Sequence, residues 1–427
     1  MPKKPPPSLP ISAFSPITPS SHHSSSANLR RSYPSFLIDT QVYLNLNSNE
    51  IKNLWNSTSS SASNSTSSSK FNLNHLNLIG FIHFNQSLTS NLKINNQISS
   101  NQLNLDYQIK FLKSLNLQSS QIKFSKPLAQ VIWAPLHQGP SVLEPYLDQL
   151  KNIKPKISAC GYLIKNSASN QSNSLIDPNF IQSLRLLGKK KIGLEFLVDN
   201  NHDRSAPSIL DEILECISLV RDGQDPNHET KFVLSQMGMP DMISTHPHLP
   251  SSASYSSILS RLFSLSLFSN LYIKLSGLPL YFDDQLIRKA CDYFVRYKKP
   301  YQNPITPNSL DHQSDKSIQV NDPINEISNN LRAQGEIAWR EVQKRIKFYV
   351  EPILEAFGDH RIMYASNFPF FGAREPSVVE IKQPGRYEYQ FEIFRECLSE
   401  FGLENEALDN VFGLNAQRYY GISEVEE

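Results

Sequence analysis

A serine and an asparagine stand where a short apolar run ends. Ile362 to Ala365 and Phe368 are largely apolar and Pro369 blocks continuation, which predicts a buried strand delivering Ser366 and Asn367 to its C-terminal end. An amide at that place donates and accepts hydrogen bonds, but it cannot take up a proton as a carboxylate does, and it is a poorer cation ligand. Near the start of the chain, Asp39, Gln41 and Tyr43 share one face of an extended segment by its period of two. His137 follows a third apolar run, and Asp199 and His202 follow a fifth. Each is a candidate acid or base, weighed against the commoner capping or solvated role of residues at loop starts. His246-Pro-His248 lies in a Pro/Ser-rich segment, which favours a loop over a metal site. Cys160, Cys216, Cys291 and Cys397 have no CxxC spacing, so buried free thiols are expected rather than a metal cluster or disulfides.

The elements that must position these residues alternate. Apolar runs predict strands at Phe36 to Leu44, Leu76 to Phe84, Leu128 to Ala134, Ile157 to Ile164, Gly193 to Asp199, Lys231 to Gln236, Asn270 to Gly277 and the run ending at Asn367. Helical spacing lies between them, around 141–151, 180–187, 258–267 and 284–297, and from Ser208, where Ser208 and Asp211 have capping-box spacing. A long helical stretch over 327–357 contains Pro352, which predicts a fresh helix there. Helices over 387–401 and 408–420 close the chain. Eight strands reading as apolar runs between helices predict an α/β fold, a (β/α)8 TIM barrel in one domain. An open doubly wound sheet is the alternative, but no glycine-rich phosphate loop follows the first strand.

Around that core the sequence predicts a disordered Pro/Ser-rich tail over 1–34, a barrel over 35–421, and a short acidic tail over 422–427. Ser/Asn/Pro-rich insertions fall near 56–70, 85–104, 166–174 and 299–325. Lys plus Arg at 41 against Asp plus Glu at 40 leaves no bulk field, which argues against nucleic-acid or membrane-surface binding. No apolar run has signal-peptide or membrane-span length, so an intracellular, cytoplasmic protein is expected. The acid-free N-terminus carrying Lys3, Lys4, Arg30 and Arg31 suggests a mitochondrial presequence as the alternative, which its prolines oppose.

Taken in order, five motifs resemble the amidohydrolase-related family, in its branch of sugar-lactone and pyrone-dicarboxylate hydrolases. They are Ile38-Asp-Thr-Gln-Val-Tyr, Val233-Leu-Ser-Gln-Met-Gly-Met-Pro, Lys274-Leu-Ser-Gly, Arg361-Ile-Met-Tyr-Ala-Ser-Asn-Phe-Pro and Asn415-Ala-Gln-Arg-Tyr-Tyr. The resemblance implies a TIM barrel of hydrolase descent, and its departures fall on the chemistry. Gln41 and Tyr43 stand for the family's first-strand histidines, Ser235 and Gln236 for its Asp-His, and Asn367 for its last-strand aspartate. Neutral oxygens replace imidazole and carboxylate, so no cofactor is expected, and zinc only if the substituted site still binds it.

The resemblance marks Gln41, Tyr43, Gln236, Lys274 and Ser366 as ligand-binding positions, with Lys274 placed to hold an anion as a point charge. Asn367, His137, His202 and Asp199 are the candidate catalytic residues. Three expectations follow from this pattern. The first is a pseudoenzyme binding a small anionic or lactone-like ligand, or a partner. The second is a lactone or ester hydrolase using substitute groups such as His137, His202 or Asp199. The third is a scaffold acting through its Ser/Asn-rich loops.

Overall fold

A computed structural model describes residues 33–35, 37–42, 78–84, 126–164, 174–198, 206–238, 253–276, 282–298, 323–367 and 386–422. The expected tails fall almost wholly outside the described residues, as do the insertions near 56–70 and 85–104 and most of those near 166–174 and 299–325. The barrel begins by Tyr33, whose ring lies 4.3 Å from the Arg395 guanidinium.

Eight parallel strands form one sheet in sequence order. They are β1 (Leu37–Val42), β2 (Leu78–Phe84), β3 (Lys126–Ile132), β4 (Ile157–Ile164), β5 (Gly193–Val198), β6 (Phe232–Leu234), β7 (Leu271–Leu275) and β8 (Ile362–Tyr364). Between them run α1 (Pro140–Leu150), α2 (Pro178–Lys189), α3 (Ala206–Asp222), α4 (Ala253–Ser266), α5 (Asp284–Tyr293) and α6 (Pro323–Phe357). After β8 come α7 (Arg386–Glu400), α8 (Asn405–Asp409) and α9 (Asn415–Tyr420). The chain is therefore a nearly closed (β/α)8 barrel, as its alternating apolar runs predict.

Two apolar layers result from the strand period of two. Ile38, Ile82, Ala129, Val131, Ala159, Leu197, Val233 and Met363 fill the inside, with Tyr419 and Tyr420 of α9 packed onto them. The other faces, such as Leu37, Phe81, Ile132, Leu194, Phe232, Ile273 and Tyr364, meet the helices. Tyr419 explains one glycine. A Cβ on Gly193 at the start of β5 would lie 2.3 Å from the Tyr419 hydroxyl, so only glycine lets α9 close on the barrel there.

Two helix expectations are corrected. Pro352 starts no new helix, because α6 runs through it as one element of 35 residues. A proline leaves the carbonyl four residues earlier without its helical donor. Here that carbonyl, on Phe348, accepts the Tyr255 hydroxyl of α4 at 3.1 Å, so the defect is repaired from a neighbouring helix. Ser208 does not cap α3 either, since the helix begins at Ala206 and already includes it. The strands at the sixth and eighth positions are shorter than their apolar runs. Ser235–Gly238 turns away after β6, and Asn367 is left-handed beyond β8.

Candidate functional site

The site is built from the C-terminal ends of β1, β6, β7 and β8, with Glu195 of β5 beneath. Seven ladders join β1 through β8, and among the described residues none joins β8 back to β1. Side chains make that closure. The Thr40 hydroxyl donates to the Tyr364 carbonyl at 2.6 Å. The Asp39 carboxylate accepts the Ser366 backbone N–H at 2.9 Å and also the Ser366 hydroxyl. One of its oxygens accepts the Gln41 N–H at 3.2 Å as well. Asp39, Thr40, Gln41 and Ser366 are all buried.

Lys274 lies inside the barrel and is fully buried. Its ammonium donates to Glu195 at 2.6 Å and to the Thr40 carbonyl at 2.9 Å. The Tyr420 hydroxyl of α9 donates to the other Glu195 oxygen, also at 2.6 Å. Burial pushes the Glu195 carboxyl up and the Lys274 ammonium down, and each is opposed by the charge of the other. Coulomb attraction in a low-dielectric interior favours the ionised pair when its other lone pairs and protons are bonded, and here both Glu195 oxygens and two of the ammonium protons have partners. The Lys274 charge is thus balanced within the protein. Glu195 lies in none of the five motifs, whereas Tyr420 closes the fifth, Asn415-Ala-Gln-Arg-Tyr-Tyr, with no role assigned to it there. The signal for Glu195 was a lone acid inside an apolar strand, which at such a place calls for a buried cation.

At the ends of β6 and β8 the backbone is unusual. Gln236 and Met237 take left-handed conformations at φ 53° and 54°, Gly238 follows at 74°, and Asn367 sits at 57°. Asparagine tolerates this region better than most residues, whereas glutamine and methionine bear a cost of about 1 kcal/mol or more each. The Gln236 N–H donates to the Ser276 hydroxyl beyond β7 at 3.1 Å, which ties the turn to its neighbour. Asn367 is 2% exposed, and its side-chain oxygen is buried without a hydrogen-bond partner. The Ser235 hydroxyl is fully buried, and its interaction with the Glu195 carboxylate favours the charged form.

The structure brings Gln41, Gln236, Lys274, Ser366 and Asn367 to the strand ends or the inner layer. It sets His137 apart. That residue lies in the turn after β3, with its ring stacked on Phe180 of α2 at 4.5 Å. The Tyr162 hydroxyl is 2.7 Å from its Nε2. Burial lowers the imidazole pKa, against the raising influence of Asp177 and Glu212, and raises the Tyr162 phenol. Both groups are thereby held toward their neutral forms, the tautomer sets which of them donates across the 2.7 Å contact, and Nδ1 is buried without a partner. Phe180 belongs to the outer apolar layer, with Tyr162 packed against it, so His137 is a packed histidine of that layer. Tyr43, Asp199, His202 and the pair His246 and His248 lie outside the described residues.

A divalent hydrolytic metal needs imidazole or carboxylate donors. Gln41, Ser235, Gln236 and Asn367 offer neutral oxygens or amides, and Asp39 spends both carboxylate oxygens on Ser366. Among the described residues no three His, Cys, Asp or Glu side chains are grouped to hold a metal. The donor set of the described residues does not fit such an ion. Among the described residues, no helix is long and apolar enough to cross a membrane.

No protein-family model matches the chain, and no curated protein matches it. Among solved structures it is similar to a zinc-bound amidohydrolase from Burkholderia multivorans, with 14% identity over 91% of this chain and 100% of that one, at a TM-score of 0.49. It is also similar to a candidate 2-pyrone-4,6-dicarboxylic acid hydrolase from Pseudomonas putida, with 11% identity over 92% and 99% of the two chains and a TM-score of 0.46. The apo IDCase of Metarhizium anisopliae is 10% identical over 91% and 98%, with a TM-score of 0.43. Likeness at this level concerns the barrel and says nothing of the residues that act.

Proposed function

We propose that this chain is a TIM-barrel protein of amidohydrolase descent that binds a small ligand at the C-terminal strand ends and does not hydrolyse by the family's metal-dependent route. The observation that carries this is Asn367. It occupies the place where the motif order expects a proton-accepting carboxylate, and an amide cannot act as a general base. The Asp39 carboxylate of β1 is turned to Ser366. Gln41 and Gln236 extend the same change from charged to neutral donors. A hydrolase built on His137 is disfavoured, because that imidazole is packed on Phe180 and held by Tyr162.

The test is elemental analysis of dialysed full-length protein, followed by a lactone and ester panel with and without chelator. Metal well below stoichiometry and no chelator-sensitive turnover are expected. Stoichiometric zinc or manganese that disappears in Gln41→Ala or Gln236→Ala would overturn the proposal. The reverse experiment combines Gln41→His, Tyr43→His, Gln236→His and Asn367→Asp, and a gain of metal binding there would support the ancestry directly.

A further inference from the structure

We infer that α9 is a latch for the barrel seam: the Tyr420 hydroxyl, acting through Glu195 and Lys274, positions Thr40 and so helps hold β1 against β8. Whatever the strand ends bind, this coupling runs through the protein itself. α9 lies over the N-terminal ends of the strands, at the mouth opposite the candidate site. The Tyr419 hydroxyl donates to the Leu194 carbonyl near the start of β5 at 3.3 Å. Lys231, just before β6, donates to the Arg418 carbonyl at 2.9 Å. The Asn415 amide donates to the Ile362 carbonyl at the start of β8 at 2.7 Å. A helix of six residues has little stability of its own, so contacts of this kind set its place.

One side chain of α9 reaches further in. The Tyr420 hydroxyl donates to one Glu195 oxygen at 2.6 Å and the Lys274 ammonium to the other, also at 2.6 Å. The same ammonium donates to the Thr40 carbonyl at 2.9 Å. The Thr40 hydroxyl then donates to the Tyr364 carbonyl of β8 at 2.6 Å, beside the contact of Asp39 with Ser366. Tyr420, Glu195, Lys274, Thr40 and Tyr364 are all buried. These bonds connect a helix at one mouth of the barrel to the junction of β1 with β8, which among the described residues has no main-chain ladder.

Each bond depends on its neighbour. Donation from Tyr420 favours the charged form of Glu195, and that charge holds the ammonium opposite it. Without the hydroxyl the carboxylate keeps its charge less firmly, and Lys274 becomes a less well-placed donor to the Thr40 carbonyl. Seven of the strand junctions would absorb such a loss in their ladders. The seam relies on side chains, so the loss is felt there.

Amide hydrogen exchange of the full-length protein, read by NMR at Ser366, tests the latch. Tyr420→Phe keeps the ring that packs on Tyr419 at 4.7 Å and lies 5.6 Å from the Lys274 ammonium, and removes only the hydroxyl. It should speed exchange of the Ser366 N–H about tenfold more than exchange in α2. Tyr419→Phe removes a buried hydroxyl from the same helix but outside this chain of bonds, and should give Ser366 no such excess. The Lys274 ammonium resonance should shift in Tyr420→Phe and stay in place in Tyr419→Phe, a signature that loosened packing of α9 does not produce. Equal effects of the two variants at Ser366, or an unshifted Lys274 resonance in Tyr420→Phe, would overturn the inference. The wild type supplies a second reading that needs no variant to fold. With rising denaturant the amides of α9 and of Ser366 should become exchangeable together, and α9 exchanging while Ser366 stays protected would also overturn the latch.

Discussion

The Asp39 carboxylate of β1 holds both the backbone N–H and the hydroxyl of Ser366, two residues past β8. The first and last strands of the barrel are thus joined by a side chain where the other seven junctions have main-chain ladders. Asp39→Ala should take the acceptor from three buried donors, the N–H and hydroxyl of Ser366 and the N–H of Gln41, and cost about 3 kcal/mol or more, measured by chemical denaturation. Ser366→Ala should cost less, about 1 kcal/mol, because its N–H keeps the carboxylate. If the two variants are equally stable, the N–H bond contributes nothing and the closure lies elsewhere.

A second expectation concerns Lys274 and Glu195, both fully buried. Removing one partner strands a charge in the interior, so Lys274→Met should lose about 3–5 kcal/mol. Replacing both, as Lys274→Met with Glu195→Leu, should recover much of that loss in a double-mutant cycle. Additive losses would show that the two groups are not coupled.

Much of this arrangement is legible in the sequence, and the limits are physical. The strand Ile157–Ile164 is found where its apolar run predicts it, and β5 and β7 agree to within a residue or two at each end. Apolar runs fix which segments are buried. They do not say where a ladder stops, which is why β6 and β8 end early, once Gln236 and Asn367 leave the extended region. Burial of Lys274 was hidden because a lysine at a strand end looks the same whether its partner is a ligand or a carboxylate two strands away. Likewise, only the packing of Phe180 and Tyr162 distinguishes His137 as an outer-layer residue from a catalytic one. The role of Asp39 depends on a contact across 327 positions, which no local pattern carries.

The His137 imidazole, its pKa lowered by burial from the ordinary value of 6.5, makes a pH prediction. A base whose folded pKa lies below its unfolded value binds its proton more readily when unfolded. Its contribution to stability is therefore full above about pH 6.5 and is lost as pH falls through the folded value. Denaturation midpoints should drop over that acid range in the wild type and less in His137→Phe, which keeps the stacking on Phe180. An unchanged pH profile in the variant would assign the loss to carboxylates instead.

The last prediction uses the thiols as reporters. All four cysteines are reduced and buried. Burial pushes the Cys160 thiol up to about 12, and raises Cys216 and Cys397 further. Only the thiolate attacks an alkylating or disulfide reagent, so the folded protein presents almost none of the reactive form near neutral pH. Labelling of native protein should then be slow and should accelerate in step with denaturant, because unfolding supplies both access and an ordinary pKa. The positions differ in what they report. Cys160 lies on β4 within the barrel wall, whereas Cys397 lies on α7, with its thiol 3.8 Å from the Gln343 carbonyl of α6. If Asp39 and Ser366 hold the seam as the geometry indicates, Asp39→Ala should speed labelling of Cys397, which follows β8 in the chain, more than that of Cys160, on the opposite side of the sheet order. Equal acceleration at both would mean that the barrel opens as one cooperative unit and the seam is not its weakest point.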